Sequence, residues 1–229
     1  MKQYLYLLLD VLTILFPFLF SFYPKANFSK KWKYLWIAIL IPGIIFLVWD
    51  EWFTQLNVWG FNPEYLSGIY LGSLPLEEVL FFICIPYACV FTYEALNYLV
   101  TKDYFAPHQR KISIVLIAGS LLLALLNTDK WYTVTTFAGL AAYIGILEFV
   151  AHATFLSRFY FAYIFVLIPF FIVNGILTGS FIEGEVVWYN NAENLGIRMG
   201  TIPVEDTFYG MLLLIMNVSL FEWLQRRKS

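Results

Sequence analysis

Seven long apolar runs constrain this chain before anything else does. They occupy residues 4–23, 34–53, 75–100, 111–127, 132–151, 159–178 and 204–225, each long enough, or nearly so, to cross a hydrocarbon layer of about 30 Å as a helix. A soluble domain has no room to hide so much apolar length. Of the residues, 61% are hydrophobic and 13% charged, against roughly half and a quarter in ordinary soluble domains. The solvent is therefore lipid, and the expected fold is an all-α integral membrane bundle of seven transmembrane helices. Two connections, 54–74 and 179–203, are long and rich in Gly, Asn and Trp. They read as irregular or re-entrant segments at the membrane edge, allowed where they are buried or line a cavity. The first run follows a single lysine and precedes no small-residue cleavage site, so it reads as a retained helix.

Charge orders the runs. If all seven cross, Lys25, Lys30, Lys31, Lys33, Lys102, Arg110, Lys111, Arg158, Arg226, Arg227 and Lys228 share one side, against Lys2, Lys130 and Arg198 on the other. The positive-inside rule then places the N-terminus outside and the C-terminus in the cytoplasm of a cell (inner) membrane protein. Both long connections fall on the outer side, and miscounting by one helix would scramble the sorting. A net charge of −2, with no like-charge block longer than Arg226-Arg227-Lys228, leaves no footprint for nucleic acid. Cys84 and Cys89 stand five positions apart on one expected helix, about 8 Å along its axis and too far for a disulfide.

The chain also repeats itself. Gly68-Ile69-Tyr70-Leu71-Gly72-Ser73-Leu74-Pro75-Leu76-Glu77-Glu78 matches Gly196-Ile197-Arg198-Met199-Gly200-Thr201-Ile202-Pro203-Val204-Glu205-Asp206 at an offset of 203 − 75 = 128. Within one residue, the same offset aligns Leu40-Ile41-Pro42 with Leu167-Ile168-Pro169, Trp59 with Trp188, and Glu94 with Glu222. Chance agreement in apolar sequence would not keep glycine, proline, tryptophan and carboxylate together. Three helices are an odd number, so one linking helix must intervene for both copies to have the same orientation. The expectation is 3+1+3 parallel repeats about an axis along the membrane normal: residues 1–100, a linking segment 101–130, and residues 131–229. Binding sites in such folds lie between the repeats.

Each copy starts its third helix with a proline and two acids, Pro75-Leu76-Glu77-Glu78 and Pro203-Val204-Glu205-Asp206. One such motif reads as a well-formed helix start, because proline suits the first turn and acids suit the positive end of the helix dipole. Two copies at equivalent places point to chemistry, since ionisable groups within a membrane are costly and usually face a cavity. Adjacent carboxylates in a low dielectric do not easily both ionise, and the retained proton makes a general acid without a cofactor. Glu77, Glu78, Glu205 and Asp206 are the candidate catalytic residues. Asp10 lies toward the same side and is a candidate additional acid, whereas Asp50 and Glu51 are expected at the wet interface.

A buried acid, a carboxylate base and 21% aromatic residues suit one kind of reaction. Protonating an alkene of a long hydrocarbon makes a carbocation, aromatic faces stabilise it, and a carboxylate removes a different proton. Isomerisation or cyclisation follows with no net redox change. Trp59, Tyr70, Phe81 and Phe82 in the first half, and Trp188, Tyr189, Phe208 and Tyr209 in the second, are the candidate substrate-binding residues, although packing or lipid contact suits any one of them equally.

At Pro75-Leu76-Glu77-Glu78, followed by Phe81-Phe82, and at Pro203-Val204-Glu205-Asp206, the chain resembles the membrane lycopene cyclases of the heterodimeric and fused type. The resemblance spans nearly the whole length, each half looking like one subunit. It implies that the ends of lycopene are closed into rings, through γ-carotene to β-carotene, by proton attack and proton loss. It also implies that the paired acids at Glu77, Glu78, Glu205 and Asp206 are catalytic, with lycopene and the lipid bilayer as partners. A homo-oligomer, or contact with other carotenoid enzymes, is compatible with it. The second motif ends in Asp where the fuller one has Glu, so Asp206 is either a full partner or a helix cap.

Several activities lose support from the sequence. No Gly-x-Gly-x-x-Gly opens a βαβ unit, which removes the flavin-dependent cyclases and implies no redox cofactor. The last helix has no lysine within its span for a retinal Schiff base, and no aspartate-rich diphosphate motif is present. His152 follows Glu148 by four residues, close enough to bond on one helix face, and His108 is the only other histidine, so these are read as structural and no metal site is expected. The competing readings are a transporter with 3+1+3 repeats, whose midplane polar residues would be Asn174 and Asn217, and a non-catalytic carotenoid-binding subunit.

Overall fold

Helices form where the apolar runs stand, and the computed structural model describes residues 2–227 of them and their connections. Lys228, counted in the charge sorting, lies outside the described residues. The helices are α1 (Leu5–Phe20), α2 (Trp32–Gln55), α3 (Leu76–Leu99), α4 (Gln109–Leu126), α5 (Trp131–Gly145), α6 (Leu156–Leu177) and α7 (Val204–Arg226). A single π-helical turn, Ile146–Val150, prolongs α5. With their flanking turns, all seven are long and apolar enough to cross a membrane. Pro75 and Pro203 stand just before α3 and α7 in extended conformation. Each closes off the preceding segment and lets the helix start on the next residue.

The two long connections are ordered, and not irregular throughout as the sequence led us to expect. They contain β1 (Trp59–Phe61), β2 (Tyr70–Leu71), β3 (Leu74–Pro75), β4 (Val187–Tyr189), β5 (Arg198–Met199) and β6 (Ile202–Pro203). β2 with β3, and β5 with β6, form hairpins ending at the two prolines. Gly72 and Gly200 hold φ of +65° and +66° at the first central position of these two-residue turns, where the mirror-image turn types need a positive φ. β1 and β4 come from different connections and pair antiparallel: Trp59 with Tyr189, Gly60 with Trp188, Phe61 with Val187. The central pair, Gly60 and Trp188, has the same spacing of 128 as the two prolines. Gly60 is required there because the Trp188 ring lies across it, 2.4 Å from where a Cβ would stand.

In the bundle, α1 and α6 pack on α3, α2 and α5 pack on α7, α4 packs on α5, and α2 also meets α3. Lys2, in the short turn that precedes α1, pairs with Glu183 in the second connection, so the N-terminal turn and the β-structure share one end of the bundle. At the other end Lys31 pairs with Glu94, and Tyr93 donates to Glu222 Oε1 at 2.7 Å. Between the ends, the core is built from Leu35, Phe46, Phe82, Tyr87, Phe159 and Phe221 with their neighbours.

Candidate active site

The two acids of each motif turn in different directions. Successive helical residues are about 100° apart around the axis, so neighbours at the start of α3 or α7 reach different surroundings. Glu77 and Glu205 turn back toward the preceding loop and are fully buried. Glu77 Oε1 accepts the Ser67 backbone N–H at 2.7 Å. Glu205 Oε1 accepts the Leu195 backbone N–H at 2.7 Å and the Thr133 hydroxyl at 2.7 Å. Ser67 and Leu195 each stand ten residues before their acid. Both acids thus latch the hairpin segment onto the helix start, where buried backbone donors must find acceptors.

Glu78 and Asp206 turn inward. Tyr6, in the first turn of α1, donates to Glu78 Oε2 at 2.6 Å. Tyr132, in the first turn of α5, donates to Asp206 Oδ1 at 2.5 Å, and Tyr189 on β4 donates to Oδ2 at 2.8 Å. Among the described residues, no ion pair reaches Asp10, Asp50, Glu77, Glu78, Glu205 or Asp206. Glu77, Glu78, Glu205 and Asp206 are held by hydroxyls and backbone N–H groups and not by cations.

Glu78 and Asp206 face one cavity of about 430 Å³, shared with Asp50, Trp59, Phe81, Tyr189 and Tyr209. It follows α3 as far as Thr92, about 21 Å beyond Glu78 at 1.5 Å per residue. α6 supplies Tyr163, Val166 and Phe170 to its wall. At the loop end Trp59, Phe61, Val187 and Tyr189 from the β1–β4 pair line it. Leu12 and Phe16 of α1 also line it, yet are 54% and 60% exposed on the flank of the bundle. The cavity therefore opens sideways, toward lipid.

The structure brings some of the expected residues together and leaves others apart. Glu78, Asp206, Trp59, Phe81, Tyr189 and Tyr209 line the cavity, whereas Glu77 and Glu205 do not. Tyr70 is 44% exposed on β2. Phe82 packs against Phe46, Phe208 against Phe137, and Trp188 across Gly60. Asp10 is buried, with Oδ2 lacking a hydrogen-bond partner, and lies outside the cavity lining.

Asp50 corrects an expectation. It is only 3% exposed, because α2 continues to Gln55 and β1 then folds back against the cavity that Asp50 lines. Glu51 stays half-exposed and accepts the Ser73 backbone N–H at 2.9 Å, holding the turn of the first hairpin. Tyr6 and Tyr132 were missed. Their spacing is 132 − 6 = 126, so a search anchored on an offset of 128 passes over them. Glu148 bonds Gln109 at 3.1 Å and Ser113 at 2.9 Å, tying α4 to the π-helical turn. No cluster of His, Cys, Asp and Glu fit to hold a metal occurs among the described residues.

The family model described as lycopene cyclase matches this chain twice, over residues 3–96 and 129–224. The chain belongs to the lycopene cyclase family. The two matched stretches of this cyclase-family chain start 126 residues apart and end 128 apart, which covers both the tyrosine and the proline spacings. Bifunctional lycopene cyclase/phytoene synthases are among its relatives. The protein of Pyrenophora tritici-repentis is 27% identical over 201 residues, 84% of this chain and 32% of the relative. That of Phycomyces blakesleeanus is 31% identical over 125 residues, 52% and 21% respectively. That of Aspergillus niger is 26% identical over 111 residues, 46% and 18%. The chain thus spans a third or less of the length of these curated relatives. No solved structure matches it significantly.

Proposed function

We propose that this chain closes the linear ends of lycopene into β-type rings, through γ-carotene to β-carotene, by protonation, cation cyclisation and deprotonation with no net redox change. The observation that carries this reading is the convergence of Glu78 and Asp206, from the two matched stretches, on the wall of one aromatic cavity. That cavity is long and apolar, as a polyene requires, and its flank meets lipid, the phase in which such a substrate dissolves. Trp59, Phe81, Tyr189 and Tyr209 offer ring faces or edges to a cation. Glu78 and Asp206 are the groups that touch the reacting end; Glu77 and Glu205 are positioning residues that fix the helix starts.

The reading includes an arrangement. Residues 1–100 and 131–229 form two three-helix repeats joined by the helix of segment 101–130, as 3+1+3 about an axis along the membrane normal. Supporting it are the matching hairpins, the matching first-acid latches, and the Gly60–Trp188 pair, whose spacing equals the repeat offset. The eleven-to-three charge sorting supports an outer N-terminus, a cytoplasmic C-terminus and residence in the inner cell membrane. Lycopene and lipid are the proposed partners.

The test is expression in a lycopene-accumulating bacterium, followed by pigment extraction. Conversion of lycopene to monocyclic and bicyclic carotene is the expected result. Unchanged lycopene, with the protein present in the membrane, refutes the activity and leaves the carotenoid-binding subunit as the reading.

A further inference from the structure

We propose that Asp50 is the acid of this site, the residue that delivers the proton, while Glu78 and Asp206 face the cation as carboxylates. This rests on the cyclase reading and adds to it a third group, and a division of labour that the paired motifs do not contain.

Three carboxyl groups line the cavity: Asp50, Glu78 and Asp206. Their partners differ. Glu78 receives the Tyr6 hydroxyl, and Asp206 receives two, from Tyr132 and Tyr189. Donors aimed at a carboxyl oxygen favour its charged form. Asp50 is 3% exposed, and its Oδ2 has no hydrogen-bond partner. Among the described residues it receives no hydroxyl and no cation, and only the neighbouring Trp59 side chain supports it, so of the three it is the one that a low-dielectric cavity keeps neutral. One acid and one carboxylate suffice for putting a proton on and taking another off, and this cavity offers the acid once and the carboxylate twice.

Neighbouring groups fit the same division. The Tyr209 hydroxyl is buried without a partner, lines the same cavity, and lies within electrostatic reach of Asp50, Glu78 and Asp206 alike. Its ring is set by Phe46 and Trp49, with centroids 5.0 and 5.2 Å away. In the second stretch, the position 128 residues beyond Asp50 is Thr178. Thr178 also lines the cavity, but it donates to the Asn174 carbonyl at 2.8 Å and is no acid at any ordinary pH. The donor therefore occurs once, and the Glu78/Asp206 type of position twice.

The step balances. The O–H bond of Asp50 breaks, and its proton bonds the less substituted carbon of the terminal double bond using that bond's π pair, leaving a tertiary cation. The π pair of the next double bond within reach forms the ring-closing C–C bond and shifts the cation. Glu78 or Asp206 then takes a neighbouring C–H proton, whose bonding pair becomes the ring double bond. One proton enters and one leaves, and no electrons are gained or lost. Asp50 then takes up a proton from solvent, and the acid formed on Glu78 or Asp206 gives its proton up to solvent, which restores the starting state.

Dicyclohexylcarbodiimide, an apolar reagent that adds to undissociated carboxyl groups, tests the assignment on the full-length protein in its membrane. Peptide mass mapping should find the adduct on Asp50 and not on Glu78 or Asp206, and preloading with lycopene should suppress it. An adduct on Glu78 or Asp206 with Asp50 unmodified overturns the proposal. The second measurement is turnover in deuterated water. The wild type should place one deuterium in each new ring, and Asp50→Asn should lose ring formation by about 100-fold or more while still binding lycopene. Asp50→Glu should recover part of the activity. Wild-type turnover retained in Asp50→Asn overturns the Asp50 assignment alone, whereas a wild type that forms no rings overturns the cyclase reading.

Discussion

The stretches 3–96 and 129–224 answer to the same family model and put the same kind of group on the same cavity, yet they surround it differently. In the first, Glu78 has one tyrosine donor and shares its stretch with two buried acids outside the motif, Asp10 and Asp50. In the second, Asp206 has two tyrosine donors. Offsets of 126 and 128 put Thr136 and Thr178 where the first stretch has Asp10 and Asp50. The framework, by contrast, is kept in both: hairpin, proline, and a first acid that receives a loop N–H at 2.7 Å. The difference teaches why a duplicated chain keeps some residues and lets others diverge. Every copy must satisfy its own buried loop donors, but a reaction that adds one proton and removes another is better served by unlike groups than by identical ones.

The sharpest way to break this comparison is to remove the inward acids. Glu78→Gln and Asp206→Asn should each lower conversion by about 10²- to 10⁴-fold at normal membrane levels, measured by pigment chromatography. Glu77→Gln and Glu205→Gln should lower the amount of folded protein while the activity per folded molecule persists. The reverse pattern would exchange the roles of the two positions. Next in size come the tyrosines. Tyr6→Phe removes the hydroxyl donor to Glu78, a bond to a carboxylate worth about 1.5–3 kcal/mol, and should slow ring formation about 10- to 100-fold. Tyr132→Phe leaves Tyr189 on Asp206 and should cost less; equal losses would mean that Tyr189 does not compensate.

Smaller effects belong to the framework. Gly60→Ala drives a Cβ into the Trp188 ring and should destabilise the protein by about 1–3 kcal/mol, read as a lower Tm in detergent. Adding Trp188→Ala should relieve that clash, because the three atoms nearest the new Cβ all belong to Trp188. Smallest should be Lys2→Ala, which removes a pair whose side chains are 59% and 89% exposed. An unchanged Tm is expected, as for most exposed pairs.

Much of the fold was legible because apolar length is a one-dimensional property. Each run of about 20 residues had to become a helix, and the observed ends fall within a few residues of the runs. The site was legible only in part. The glycine and proline punctuation marked the two motifs, but adjacent acids such as Glu77 and Glu78 look alike in sequence. Which one faces the loop and which the cavity depends on the rotation of the helix against its neighbours. Asp50 was misread for a related reason. Its place at the end of an apolar run suggests water, and only the return of β1 encloses it.

By itself, then, the sequence determined a seven-helix membrane bundle, the two equivalent helix starts, and the types of side chain they carry, since periodicity and composition act locally. The tertiary structure decided that one acid of each pair is a latch and the other a cavity wall. It decided that Tyr6, Tyr132 and Tyr189 hold the inward acids, and that Asp50 joins them. The tyrosine contacts join residues up to 74 positions apart through helix packing, and the strands from two different connections join Trp59 with Tyr189, and no local pattern carries that information.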